Sequence, residues 1–276
     1  MLQEPNGHRR RNLAVALRDL RNASGLSRER LAAKAQLSQS KISRVETGRT
    51  IPTVADTERI LRALEVPKSV ATELLSLARA ANVDYASWRS VARLGIWHKQ
   101  NELKSLANDS AYVRQFLPAI PSGLLQTPEY ARETFTPAVD GRPARDVDRA
   151  VQARMDSQEC LDDESRRFSF ILTEQALDWR QAPQEVMASQ RERLVEVSSR
   201  SNVDLAVLPI DAVVKVPALN VFVVYDDRLV IVETFSGEMA LRDPRDVSYH
   251  LNLFDYFYDL SLHGDDARTR IMQVRD

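Results

Sequence analysis

Between Arg28 and Arg49 the sequence gathers side chains whose chemistry is recognition. Gln39, Ser40, Ser43 and Arg44 fall on the polar side of a short segment whose other side carries Ile42 and Val45. A glutamine amide can form two hydrogen bonds to adenine, a guanidinium can do the same to guanine, and serine is less selective. Lys41 and Arg49 stand beside them as cations, and Arg9-Arg10-Arg11 adds a basic run upstream. The plainer reading of each is a solvated surface charge, and of the triple arginine a basic tail. Taken together they suit a polyanion that also displays hydrogen-bonding edges.

Bond-making chemistry has fewer candidates. His8, His98, His250 and His263 are scattered, without H-E-x-x-H or paired-ligand spacing. There is no phosphate loop and no G-x-G-x-x-G. Glu174, Glu233 and Asp204 fall near expected strand ends, where α/β proteins build sites. Glu233 follows an apolar run and could be a buried functional carboxylate; the plainer role is accepting a hydrogen bond from an arginine or lying at a sheet edge. Cys160 is the only cysteine, which excludes an intrachain disulfide and a multi-cysteine metal site. No histidine is near it in sequence, so it reads as inert. The aromatic set Phe254, Tyr256, Phe257 and Tyr258 reads as core and dimer surface rather than a ligand cage. The expectation is a protein that is not an enzyme, with no catalytic residue, no metal and no cofactor.

At 276 residues, 43% hydrophobic and 28% charged, the chain has room for one small and one medium domain. No stretch approaches the roughly 20 apolar residues of a membrane span. The first eleven residues are polar and basic, unlike a signal peptide, so a cytoplasmic location is expected. The net charge of −1 hides an asymmetry. Residues 1–82 carry 15 Lys and Arg against 8 Asp and Glu, and the remainder 23 against 31. One half is therefore fit to meet a polyanion.

Five helices must position the basic half. Leu13, Leu17 and Leu20 recur at helical spacing over residues 9–23, and Ser24-Gly25 ends the run. Ser27 caps a second helix with Glu29 in its first turn and Leu31, Ala32 and Ala35 inward. After Gln36 and Leu37, Ser38 caps a third over residues 39–47, closed by Gly48. Thr53 caps a fourth, with Asp56 at the reciprocal capping position and Ile60, Leu61 and Leu64 as its stripe. A fifth covers residues 68–82.

Residues 26–49, LSRERLAAKAQLSQSKISRVETGR, resemble the XRE helix-turn-helix family of phage repressors and Cro. The similarity spans residues 9–80, including the closing E-x-G-x-x-x-P from Glu46 to Pro52. It implies a lambda-repressor-like domain whose third helix enters the major groove of double-stranded operator DNA. On that reading Gln39, Ser40, Ser43 and Arg44 face bases, and Arg28, Ser38, Lys41, Arg49 and Arg10 face phosphates. One such domain covers few base pairs, so a homodimer on a palindromic site is implied.

The remaining residues read as α/β. Residues 83–110 form an amphipathic stretch without the Gly, Ser and Pro of a tether, expected as a helical connector. FLPAIPSGLL, residues 116–125, is a proline-broken apolar segment, after which Thr127 caps a helix opening at Pro128. Residues 168–172 and 203–208 read as strands with helices between, a crossover unit implying parallel pairing. Residues 219–225 and 229–234 read as a hairpin, and residues 244–262 as a long helix. The expected fold class is α plus α/β: a five-helix domain at 1–82, the connector at 83–110, and an α/β domain with a small mixed sheet at 111–276.

This half resembles the C-terminal domain of actinobacterial antitoxin-like regulators that carry an XRE headpiece. The resemblance rests on PSGLLQTPEYA (121–131), ILTEQAL (171–177), residues 190–194, VLP (207–209) and VIVE (230–233), in the family's order. Two departures stand out: Ser122 is inserted where the family reads Pro-Gly-Leu-Leu-Gln-Thr, and the loop after Pro209 lacks the usual glycine. The resemblance implies a small partner protein encoded by a neighbouring gene. A second reading is an α/β domain that senses a small-molecule effector, which requires a cavity beside the sheet.

Overall fold

The computed structural model describes residues 5–136, 139 and 146–273, without the side chains of residues 5–10, Leu94 and Ile96. The chain divides into two compact units, Met1–Asp84 with Leu241–Asp246, and Tyr85–Ala240 with Val247–Asp276.

The first unit is helical. It comprises α1 (Pro5–Ala23), α2 (Arg28–Ala35), α3 (Gln39–Glu46), α4 (Val54–Ala63) and α5 (Lys68–Ala81). The caps are the ones the sequence proposes. Ser27, Ser38 and Thr53 accept from the amides of Arg30, Lys41 and Asp56, satisfying donors that a helix start leaves orphaned. Gly25 and Gly48 close their turns at positive φ, where a side chain would be strained. The core is aliphatic, built on Leu13, Leu17, Leu31, Ile42, Val45, Ile60, Leu61 and Leu74. One boundary differs from expectation. α1 begins at Pro5, four residues before the expected start at residue 9, so Arg9 to Arg11 lie well within a helix rather than in a basic tail. Proline fits a helix's first turn, where its missing N–H costs nothing. The Arg10 side chain lies outside the described residues.

Beyond α5 follow β1 (Val83–Ser87), α6 (Trp88–Leu94), α7 (Ile96–Asn108), β2 (Tyr112–Leu117), α8 (Pro128–Phe135), α9 (Val147–Ser157) and β3 (Arg167–Thr173). Then come α10 (Glu174–Asp178), α11 (Gln184–Val197), β4 (Val203–Leu208), β5 (Phe222–Tyr225), β6 (Leu229–Glu233), β7 (Gly237–Leu241), α12 (Pro244–Asp259) and α13 (Gly264–Gln273). The sheet has seven strands in the order β1-β7-β6-β5-β2-β3-β4. β3 pairs parallel with both β2 and β4, while β5 runs antiparallel to β2 and β6.

The register explains both faces. Val113, Phe168, Val203 and Tyr225 share one row, and Leu117, Leu172 and Val207 another. These rows belong to a core with Ala107 of α7, Leu194 and Val197 of α11, and Ala267 and Ile271 of α13. The alternate residues, Phe116 and Phe222, stack on the opposite face with Phe257 of α12, Phe116 lying 4.2 Å from Phe257 and 5.4 Å from Phe222. Strands packed on both faces lose the period-2 signal. For that reason β2 shows no alternation, and only its last two residues, Phe116 and Leu117, fall in the segment that reads as proline-broken. The connector is helical from Trp88 but opens with β1, whose Asp84 and Ala86 are residue types depleted in strands.

Candidate nucleic-acid interface

α2 and α3 are joined by a three-residue turn. Gln36 takes the left-handed conformation that ends α2, Leu37 follows, and Ser38 caps α3. Ala32, buried and small, allows the two helices to approach. Ile42 and Val45 fix the inward face of α3, 1% exposed each. The face left in solvent carries Gln39, Ser40 and Arg44, with Ser43 half-buried beside them. The four side chains expected to meet bases therefore lie together along one ridge.

Around this ridge the structure distributes the cations unequally. Arg49 is exposed, and among the described residues neither it nor Arg44 holds an ion-pair partner. Lys41 reaches Asp56 of α4, Nζ to Oδ2 2.7 Å, and is half-buried. Arg28 donates through Nε to Glu46 at 2.7 Å. One of its five donors is so engaged, leaving the rest for a second acceptor. Gln39 donates weakly to Glu29 at 3.3 Å, and the Ser38 and Ser40 hydroxyls lie 3.1 Å apart.

Glu46 organises the neighbourhood, a role the sequence does not give it beyond opening the E-x-G-x-x-x-P run. It ends α3, is 3% exposed, and accepts from Arg21 Nε at 2.5 Å and Nη2 at 3.1 Å as well as from Arg28. Arg21 also donates to Leu26 O at 3.0 Å. Burial alone would raise this carboxyl's pKa; the two guanidinium hydrogen bonds outweigh it and hold it below the ordinary value. One carboxylate thereby ties α1, the start of α2 and the end of α3. Its signal was an acid on an apolar stripe, Ile42, Val45 and Glu46 sitting at i, i+3 and i+4.

In the second unit the run GLLQTPEYA turns inward. Gln126, 1% exposed, donates to Pro121 O at 2.8 Å and accepts from Arg154 Nη1 at 2.6 Å. Arg154 also bonds Thr134 and stacks over Phe135. Gln190 brackets the same turn, accepting from Thr127 N and donating to Leu125 O, each at 2.8 Å. Ser122 caps the short turn by accepting from Leu124 N. These residues fasten α8, α9 and α11.

The carboxylates proposed for chemistry do not converge. Glu174 accepts from Ile210 N and Arg270, anchoring the loop after β4. Asp204 accepts from Tyr258 at 2.6 Å. Glu233 has its pKa raised by burial and by the nearby negative charge of Glu238, which itself pairs with Lys99 at 2.5 Å. Cys160 is buried, and its thiol is pushed up to about 11 by that burial. Among the described residues no three His, Cys, Asp or Glu side chains gather to hold a metal ion. No described helix is long and apolar enough to cross a membrane. A groove of about 730 Å³ lies between α1 and α5 in the first unit, lined by Asn12, Ala16, Thr72, Glu73 and Leu77 among others.

With this geometry in hand the relatives can be placed. Residues 12–75, which enclose α2, α3 and α4, match a family described as a helix-turn-helix domain. The first unit is thus a DNA-binding helix-turn-helix domain. Residues 100–273 match a family described as a domain of unknown function, DUF5753. The chain belongs to the DUF5753 family. No curated protein matches it. Among solved structures it is similar to NucT from Helicobacter pylori, at 7% identity and a TM-score of 0.41 over 66% of this chain and 98% of that one. Nuc from Salmonella typhimurium, a phospholipase D family member, follows at 10% identity and a TM-score of 0.35, over 66% and 95%. TrmBL2, an archaeal chromatin protein, shares 15% identity at a TM-score of 0.32, over 75% and 66%. Likenesses this distant carry no weight for function. What DUF5753 adds is membership, with α3 left as the part whose chemistry is legible.

Proposed function

We propose that this DUF5753 protein is a transcription regulator of the phage-repressor type, binding palindromic operator DNA as a homodimer and acting without catalysis. The observation that carries the reading is the exposed ridge of α3. Gln39, Ser40, Ser43 and Arg44 present donors and acceptors suited to base edges, and Arg28, Ser38, Lys41 and Arg49 border them where phosphates would lie. Ionic ties at Glu46 and Asp56 keep that ridge rigid, so little ordering cost falls on DNA binding.

The second unit supplies the dimer contact. Large apolar side chains are exposed on three loops at one end of its sheet: Trp179 after β3, Ile210, Val213, Val214 and Leu219 between β4 and β5, and Phe235 after β6. The strand directions bring these loops to the same end, and the β4–β5 loop must cross the ends of β3 and β2 to reach its partner. The exposed charges among them are Asp178 and Asp211 against Arg180 and Lys215, two of each sign. Balanced signs on an apolar patch suit a two-fold contact, in which each ion must meet its opposite on a second copy. The resemblance of residues 96–272 to antitoxin-like regulators supports a small protein from a neighbouring gene as the signal. Co-purification from the native host tests that point, and a retained metabolite in its place would favour the small-molecule reading.

The experiment for the whole reading is selection of duplexes from a randomised library by the full-length protein, followed by footprinting and sedimentation. The expected result is a palindrome with half-sites about one helical turn apart, occupied by two chains. No enrichment, together with no retention of any duplex at low ionic strength, would overturn it.

A further inference from the structure

The first unit contains a segment from far along the chain. Leu241–Asp246 belongs to it, and Asp243 there is 6% exposed. Asp243 Oδ2 accepts from Val54 N at 3.2 Å, and Oδ1 accepts from Arg245 N at 3.0 Å. Arg242 N donates to Asn82 O at 3.2 Å, and its guanidinium pairs with Asp84 at 2.5 Å. Asn82 in turn donates to Pro52 O at 2.9 Å.

Val54 is the first residue of α4, and its amide has no acceptor inside the helix. Thr53 caps Asp56 at 3.0 Å, leaving Val54 to Asp243. A carboxylate at that end also meets the positive pole of the helix dipole. Two residues further on, in the same first turn, the buried Asp56 holds Lys41 of α3. A continuous set of contacts thus runs from Asp243 through the first turn of α4 to Asp56, Lys41 and α3.

We infer that Leu241–Asp246 is part of the DNA-binding apparatus, with Asp243 a positioning residue that sets the presentation of α3 through α4 and the Asp56–Lys41 pair. The inference rests on α3 being the recognition helix. It makes operator affinity depend on a strap that continues from β7 into α12, which gives the sheet-bearing half of the chain a covalent handle on DNA binding.

The test uses the full-length protein and a duplex it selects from a randomised library. Asp243→Ala is expected to weaken binding about tenfold, the scale of losing a helix-capping acceptor. In a Lys41→Ala background the same substitution should cost less than about twofold, because the route is already cut. Asp243→Asn keeps an oxygen acceptor but loses the charge at the positive end of α4, and should cost about two- to threefold. Intrinsic tryptophan fluorescence provides a control, since Trp88, Trp97 and Trp179 all lie in the second unit and should be unmoved. Wild-type affinity in Asp243→Ala, or an equal loss in both Lys41 backgrounds, overturns the inference. If Asp243→Ala loses helical ellipticity, Asp243→Asn carries the same pair of backgrounds: a loss that shrinks with Lys41 removed supports it, and an additive loss or none overturns it. A wild-type protein that selects no duplex instead refutes the reading of α3.

Discussion

Gln39 and Gln126 are the same side chain in opposite situations, and so are Arg44 and Arg154. In the first unit, Gln39 is exposed with one long contact to Glu29, and Arg44 stands in solvent. In the second, Gln126 is buried with both ends of its amide bonded, and Arg154 bonds Gln126 and Thr134 while covering Phe135. A polar side chain whose hydrogen-bonding capacity is filled internally specifies a fold; one whose capacity is open is available to a ligand. The cores differ in the same spirit. Residues 1–84 contain no Phe, Trp or Tyr, and the small helical core is aliphatic, whereas the sheet is packed with stacked aromatic rings.

Four experiments sharpen or break this contrast. The largest effect belongs to Tyr130→Ala in the inward-facing run. Tyr130 is 1% exposed, and its loss should cost about 3–5 kcal/mol in urea unfolding followed by tryptophan fluorescence, with base preference unchanged. Next is Glu46→Gln, which strips the charge from a buried carboxylate held by two arginines. Full burial of all partners would imply about 3–5 kcal/mol, and the access of Arg28 to solvent lowers the expectation to about 2 kcal/mol. Far-UV circular dichroism would follow that loss, and tryptophan fluorescence should not. A change confined to the second unit would contradict the assignment.

Acid should then move the two units in opposite directions. Glu46 has a lowered folded pKa, so its stabilisation is complete above the ordinary value of 4.5 and is lost as pH falls through the lowered one. Glu233 has a raised folded pKa, so its contribution is complete below 4.5 and is lost as pH rises through the raised value. Melting of the tryptophan-bearing unit should therefore rise as pH falls toward 4.5, while the helical unit weakens only below it. Melting curves that shift together would count against the distinction. The smallest effect is that of Arg28→Ala. With Arg21 still holding Glu46, it should reduce the salt slope of DNA binding by about one and leave sequence preference intact.

How far the molecule is legible beforehand depends on where the signals lie. The first five helices follow from period and caps, because Ser27, Ser38, Thr53, Gly25 and Gly48 act locally. The parallel pairing of β3 and β4 follows from the crossover length, and the hairpin from the turn at Asp226, which adopts positive φ. Missed are β1, β2 and β7, and α13. β2 is flanked on both sides and shows no alternation. β7 reads GEMAL, poor in β-branched and aromatic residues. The exposure of the α3 ridge is readable from a helical wheel. Glu46 is half readable, as an acid where an apolar residue belongs. The bond from Asp243 to Val54 spans 189 positions, and no local pattern announces it.

The most direct test is the base preference of Arg44→Ala. Duplex selection with this variant and with wild type, in parallel at the same salt, reports whether the α3 ridge reads sequence. The expected result is a loss of about 1–3 kcal/mol in operator affinity with relaxed preference at one position in each half-site. An unchanged consensus at unchanged affinity would contradict the assignment of α3 as the reading helix.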